Sequence, residues 1–544
     1  MESVNFRRHE IESKSFLVVD DFGDMRSMIK GMLATIGVTD IDLAANGADA
    51  VTAMEKRRYD IVLCDYNLGA GKNGQQVLEE ARHRELIGLG SMFIMVTAEN
   101  TREIVMSAVE YEPDAYLTKP FTKDLLRSRL VRLAGKQKDL EDVEHAVRSK
   151  EFEKAVELLD EKLAVQTRNL GELTKLKAEF CLRAGSHDKA EAVYREALSR
   201  HDLPWARLGL GRVLYATGRL DEAKMVFDEL SRDNPGFTAA YDWLARTLRS
   251  MNRHRDAQAT LQKAVELSPQ AILRQKALGQ LALHNEDHDT AERALSHAVK
   301  LGHHSVYKEP LLYAGLARAK AGKGAGEQGL KILAEMEKVF RGQPTSALYS
   351  AMVEGEIHSA AGRTQEAEDC LVRAGELYRA IGDEVPAHLT LELARTSGKL
   401  GNHEQAKALL KDAVRNNHAE TELLREVGDL VRDLNMDIDP ESFIGDIRKE
   451  IVHLNNRGVQ MARAGRLQEA VGLFEEAAAA MPGNKVVNLN CARVLIMSMR
   501  ETGLNRAHLE KVHEFLNRVQ RADPENPQLR RVQNMYQQLV KESA

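Results

Sequence analysis

Two kinds of apolar spacing divide the chain. From Ser15 to about Lys136, short apolar runs alternate with stretches whose apolar positions recur every three to four residues, as strands alternating with amphipathic helices do. The runs are Phe16 to Val19, Ile41 to Ala44, Ile61 to Cys64, Met92 to Val96 and Ala115 to Thr118. Strands and helices in that order predict an α/β domain with a doubly wound, five-stranded parallel sheet.

After about residue 138 the strand pattern stops and helical spacing takes over. Aligned segments place alanines at 190, 223, 257 and 291, in steps of 33, 34 and 34. Gly211, Ala245 and Gly279 form a second small-residue register with a step of 34, as do Pro235 and Pro269. Later copies are AGRTQEAEDCLVRA, LGNHEQAKALLKDA and AGRLQEAVGLFEEA. The fullest copy runs from Ile451 to Pro482, with Gly458, Gly465, Ala470, Phe474, Ala477 and Pro482 in place. This period and these landmarks resemble the tetratricopeptide repeat, an all-α superhelix of stacked antiparallel helix pairs. Each landmark has a packing role: small residues let helices approach, Phe474 fills the gap between them, and proline ends the second helix.

The expected organisation is an extension at 1–14, the α/β domain at 15–137, the repeat array at 138–483 and capping helices at 484–544. Two stretches depart from the period. In 300–343, Gly329 stands where an alanine is expected; 417–450 has NMDIDPESF at its centre.

Composition narrows the class. A chain of 544 residues is several times the size of one hydrophobic core, and 43% hydrophobic with 29% charged residues is the balance of a folded protein. A net charge of -6 argues against broad nucleic-acid or anionic-membrane binding. Cys64, Cys181, Cys370 and Cys491 are too dispersed for a disulfide framework and read as reduced, buried thiols. With neither a signal-type apolar segment nor a membrane-spanning run in this sequence, a cytoplasmic location without membrane insertion is expected.

The chemistry gathers at strand ends. In a doubly wound sheet the carboxyl ends of the strands line the functional crevice. Here those ends carry Asp20 and Asp21, Asp65, Thr97 and Lys119. Three carboxylates on one rim repel unless a cation offsets them, and Mg²⁺, which takes oxygen ligands and bridges carboxylates to phosphoryl groups, is the suited ion. DD after the first run, CDYNL, VTAEN and YLTKPF together resemble the CheY-like, flavodoxin-fold receiver domains of bacterial two-component signalling. The resemblance implies that Asp65 is the phosphoacceptor. It makes Asp21 and Asp65 Mg²⁺ ligands, adds the backbone carbonyl of Asn67, and has Asp20 act through water. It also implies that Lys119 and Thr97 contact phosphoryl oxygens, that Thr97 and Tyr116 form the switch, and that the Lys119 to Pro120 peptide is cis. One departure is the loop LGAGKNG from Leu68 to Gly74, about two residues longer than in common receivers.

Other motifs have plain readings. GAGKNG at Gly69 to Gly74 and AGKGAG at Ala321 to Gly326 lack the Ser or Thr that follows GK in a phosphate loop. His284 and His288 in HNEDH lack the HExxH pattern and read as solvated turn histidines, and Lys56 to Arg58 as a solvated helix end. The expected function is therefore a response regulator in a phosphorelay. A sensor histidine kinase or phosphotransfer protein would phosphorylate Asp65, altering the face around the fifth strand and its flanking helices, and with it how the array meets a protein target. The competing readings are a phosphate sink and a constitutive assembly protein. No metabolic enzyme activity and no nucleic-acid partner are expected; a homodimer is compatible with all three readings, and the groove residues are unassigned.

Overall fold

The computed structural model describes residues 11–98, 113–134, 140–165, 170–382, 385–524 and 526–542. Most of the expected extension, residues 1–10, lies outside the described residues, as do 99–112 and 135–139. By internal packing the chain divides into two units, Met1–Ala319 and Lys320–Ala544.

The first unit opens with β1 (Phe16–Val19), α1 (Gly23–Ile36), β2 (Ile41–Ala44), α2 (Gly47–Lys56), β3 (Ile61–Asp65), α3 (Gly74–His83), β4 (Met92–Thr97), β5 (Ala115–Thr118) and α4 (Lys123–Ala134). The strands form one parallel sheet in the order β2-β1-β3-β4-β5. Every residue of β1, β3 and β4 is buried, because helices cover both faces. Phe16, Val18, Leu63 and Ile94 pack with Ile29, Leu33, Leu126 and Leu130 of α1 and α4. Leu17, Val62, Phe93 and Met95 pack with Ala50, Met54, Val77 and Leu78 of α2 and α3. Ile11 is also buried in the first of these clusters, so the core begins before β1. Strands β3 and β4 each run one residue past the apolar runs, to Asp65 and Thr97.

Helices follow: α5 (Glu141–Arg148), α6 (Phe152–Val165), α7 (Leu170–Arg183), α8 (His187–Arg200), α9 (Pro204–Ala216), α10 (Leu220–Asp233), α11 (Thr238–Ser250), α12 (His254–Leu267), α13 (Ile272–His284) and α14 (His288–Leu301). The alanine register is the helix contact: Ala190, Ala223, Ala257 and Ala291 are all fully buried. Gly211 shows why its register must be small, since a Cβ there would lie 2.4 Å from the Phe227 ring. Phe227 in turn stacks on Trp243 at 6.0 Å between centroids.

The second unit is helical throughout its described elements. Gly458 again closes on an aromatic ring, Phe474, with 2.5 Å available to a Cβ. Its helix is longer than the repeat copy implied. It spans Pro440–Arg463 and starts within NMDIDPESF, where the Asp439 side chain caps the amide of Ser442 at 2.8 Å. Beyond Asn484, the helix Lys485–Thr502 is buried on nearly every side, including Asn488, Cys491, Leu495 and Ser498. All four cysteines are free and buried. Among the described residues no helix is long and apolar enough to cross a membrane.

Among the described residues of the first unit, the helical array touches the α/β domain near its start and again after α14. Near its start, Glu144 of α5 accepts a hydrogen bond from the Gly90 amide at 3.0 Å and pairs with Arg58 at 3.3 Å. After α14, a 3-10 turn at Gly302–His304 leads into Ser305, whose Oγ donates to Glu79 Oε1 of α3 at 2.6 Å. Alongside, Gln76 Nε2 donates to the Leu301 carbonyl at 3.1 Å, and His83 meets Tyr307 edge to face at 5.3 Å. Burial pushes the Glu79 carboxyl up to about 7, with Glu80 adding to the rise and with Ser305 and Lys72 opposing it. Tyr307, facing it from the array, is itself pushed up by burial and then by Glu79.

Two predictions follow from this packing. Phe227→Ala leaves a cavity beside Trp243 and should cost about 3–5 kcal/mol, read as a lower urea midpoint in tryptophan fluorescence; an unchanged midpoint would contradict the packing. Glu79 has a folded pKa above its ordinary 4.5, so the folded chain holds this proton more tightly than the unfolded one. Its ionisation therefore subtracts stability as pH rises from about 4.5 towards 7. Glu79→Gln should melt higher than wild type at pH 8 and converge with it below about pH 4.5; a pH-independent difference would refute the assignment.

Candidate functional site

The crevice lies at the carboxyl ends of β1 and β3, where the strand order reverses direction from β2-β1 to β3-β4-β5. Asp20 follows β1 and is buried. Its Oδ1 accepts from the Phe22 amide at 2.9 Å, its carbonyl accepts from Arg26 Nη1 at 2.6 Å, and its Oδ2 accepts from Lys119 Nζ at 2.8 Å. Asp65 ends β3, and its Oδ2 lies 2.9 Å from the same ammonium. The Lys119 amide donates to the Thr97 carbonyl at 2.8 Å, which fixes the lysine beside the end of β4.

One oxygen from each of Asp20, Asp21 and Asp65 lies within 4.8 Å of the others. The Asp21 Oδ1 atom is buried and has no hydrogen-bond partner, which costs free energy unless a cation or donor meets it. An oxygen-only set with one such orphaned atom fits a hard divalent cation such as Mg²⁺.

The electrostatics agree with the geometry. Burial raises the Asp65 carboxyl above the usual range, and Lys119 only partly offsets it while Asp20 adds to the rise. Burial works against the Lys119 charge, yet the two carboxylates outweigh it and hold the ammonium above its ordinary value. The neighbouring Cys64 thiol is driven well up by burial, then by Asp65 and Asp20, and is inert at neutral pH.

Asp20, Asp21, Asp65 and Lys119 thus converge, and Thr97, buried at the end of β4, is joined to them through the lysine backbone. Tyr116 stands apart from the acids. It lies on β5 opposite Met95, packs against the α2 and α3 side of the sheet, and has a buried hydroxyl without a hydrogen-bond partner. Burial, then Tyr66, pushes its phenol up. Asn67 is exposed in the loop after β3. The Lys119–Pro120 peptide is cis. The helix between β4 and β5 that the resemblance implies falls in 99–112, outside the described residues.

The long loop returns tightly to the acceptor. The Gly74 amide donates to the Tyr66 carbonyl at 2.8 Å, and a Cβ on Gly74 would come 2.2 Å from the Asp65 carbonyl oxygen. Lys72 in this loop pairs with Glu80 of α3. Reasoning from sequence missed Arg26, Lys72, Gln76 and Glu79. For the last two the sequence carries no local signal, since Val77, Leu78 and Ala81 mark one apolar stripe and the burial of Gln75, Glu79 and Glu80 beside it emerges only from the fold.

Comparison with known proteins decides the family. A model described as the response regulator receiver domain matches residues 16–131, and tetratricopeptide-repeat models match 182–247 and 238–270. The chemotaxis protein CheY-3 of Vibrio cholerae serotype O1 is 30% identical over 122 residues, 22% of this chain and 92% of CheY-3. The chain belongs to the response regulator receiver family. The receiver is 31% identical over 117 residues to the chemotaxis protein CheY of Pseudomonas aeruginosa, covering 22% of this chain and 93% of that protein. A solved tetratricopeptide repeat protein from Parabacteroides merdae aligns with 48% of this chain and 98% of its own at 14% identity and a TM-score of 0.36. This response regulator is a flavodoxin-like receiver followed by a long helical region with tetratricopeptide repeats.

The ion pairs of the receiver generate a test. Lys119→Met removes the cation shared by Asp20 and Asp65, so the Asp65 carboxyl should titrate at a still higher pH, followed by carboxyl ¹³C NMR. An unchanged titration would mean that the ammonium does not hold Asp65 ionised.

Proposed function

We propose that this response regulator takes a phosphoryl group on Asp65 from a sensor histidine kinase or phosphotransfer protein, and that the phosphorylated receiver changes how the repeat array engages a protein target. The observation that supports it most is the shared ammonium of Lys119 on Asp20 and Asp65, with the orphaned Asp21 oxygen beside them. In the transfer an Asp65 carboxylate oxygen attacks phosphorus, the P–O bond forms, and the P–N bond to the donor imidazole breaks. The electron pair leaves with the nitrogen, which is protonated. Such transfers are helped mainly by alignment and by neutralising the phosphoryl oxygens.

Asp21, Asp65 and the Asn67 backbone carbonyl would hold Mg²⁺, with Asp20 acting through water. When bound, the ion neutralises charge on the carboxylates and the phosphoryl group. Lys119, already seated between two anions, would turn to a phosphoryl oxygen, and the Thr97 hydroxyl would follow as a second donor. Tyr116, whose hydroxyl has no partner in its half-buried site, would then reorient as the switch. In this reading residues 15–137 are the receiver, 138–483 the array and 484–544 its cap, and the protein acts in the cytoplasm.

The test compares wild type and Asp65→Ala, each with Mg²⁺ and beryllofluoride, as baits in a pull-down. The reading expects a protein gained or lost only on the wild-type bait and, in a parallel assay without beryllofluoride, ³²P transfer from a labelled phosphohistidine donor to wild type alone. Identical protein sets despite phosphorylation would turn the assignment to a phosphate sink or a constitutive assembly role.

A further inference from the structure

The helix that begins beside the acceptor is also the one that meets the array. From Asp65 the chain passes Gly69, whose Cβ position is 3.2 Å from Asp21 Oδ2, and packs Lys72 against Gly47. It enters α3 through a capping box, in which Asn73 Oδ1 accepts from the Gln76 amide at 2.9 Å and Gln76 Oε1 accepts from the Asn73 amide at 3.1 Å. Gln76 is therefore held by the acceptor loop at one end of its amide and by the Leu301 carbonyl at the other. Positions 76, 79 and 83 lie on one helical stripe, and that stripe faces Leu301, Ser305 and Tyr307. Ser305 is buried there, and its Oγ also accepts from the Tyr307 amide at 3.0 Å, so the turn is shaped around the Glu79 contact.

We propose that the turn at 302–307 is a latch that reads the acceptor: phosphorylation of Asp65 releases this part of the array from α3. The proposal rests on the phosphoacceptor reading above and names the route by which it reaches the array. An acyl phosphate carries roughly 1.5 to 2 negative charges where the free carboxylate carried one, and it sets new acceptor oxygens at the end of β3. Lys72 belongs to the loop that follows; it shares Glu80 with Arg84 and is the cation acting on Glu79. Drawn towards the phosphoryl group, Lys72 leaves Glu79 of the docking stripe without its cation, and Glu80 beside it with Arg84 alone. The capping box transmits the same movement, because a shift of Asn73 moves the first turn of α3 and with it Gln76. The coupling thus runs through the first turns of α3.

Coupling is reciprocal, so loosening the latch must favour the phosphorylated form by the factor with which phosphorylation loosens the latch. The experiment uses the full chain with Mg²⁺ and beryllofluoride, amide hydrogen exchange to read 302–307, and ¹⁹F NMR to read the beryllofluoride complex. In wild type, exchange at 302–307 should rise when the complex forms. Ser305→Glu, which sets a carboxylate against Glu79, should exchange fast beforehand and bind beryllofluoride about fivefold more tightly. Should that variant lose its helical circular dichroism, Tyr307→Ala takes its place with the same expectation. A wild-type complex with unchanged exchange at 302–307 overturns the latch alone. No complex at Asp65 overturns the phosphoacceptor reading and the latch together.

Discussion

The rim of the receiver depends on one ammonium. Burying Asp20 and Asp65 side by side costs several kcal/mol per uncompensated ion, and Lys119 offsets both at 2.8 and 2.9 Å. The sheet order makes this reach necessary, since Asp20 and Asp65 end neighbouring strands while Lys119 follows β5, with β4 between. A compact charge on a flexible stem suits the task, because it sits between two oxygens without the fork geometry that a guanidinium demands. The ammonium still leaves Asp21 Oδ1 without a partner, and the affinity of the crevice for additional positive charge starts from that shortfall.

The helical region obeys a different constraint. Its recurring contacts are distances of approach, set where Gly211 meets Phe227 and where Gly458 meets Phe474. These sites tolerate no extra methyl group without moving a ring, so the period of the sequence is the period of the packing. Polar contacts join some helices along their length, as between Arg212 and Glu179, and others shape the places where helices end or turn, as at Asp439 and at Ser305.

Much of this was legible from the chain. Five apolar runs marked five strands, and the residues just beyond them marked the crevice, because strand ends are where a buried sheet first admits polar groups. Asp65 and Thr97 proved to be strand residues themselves: ladder pairing such as Asp65 with Val96 continues past the apolar run. The alanines at 190, 223, 257 and 291 were readable because each makes the same contact one repeat later. Asp439 and Pro440 carried a helix-start signal that the irregular period of 417–450 obscured. Glu79 and Ser305 stand 226 positions apart, and neither has a neighbour in sequence that announces the other. Their pairing is decided by how the helices from α5 to α14 stack, a sum of small packing choices that no local pattern records.

The tie between Glu144 and the loop at Gly90 bears on kinetics as well as on packing. Because α5 is anchored there, the turn carrying Ser305 meets α3 as a tethered partner, and its local concentration is set by the intervening helices and not by the amount of protein. An opening of the proposed latch at Ser305 would therefore be a hinge event with no diffusional search on closing. Its rate of reset should not depend on the concentration of the protein.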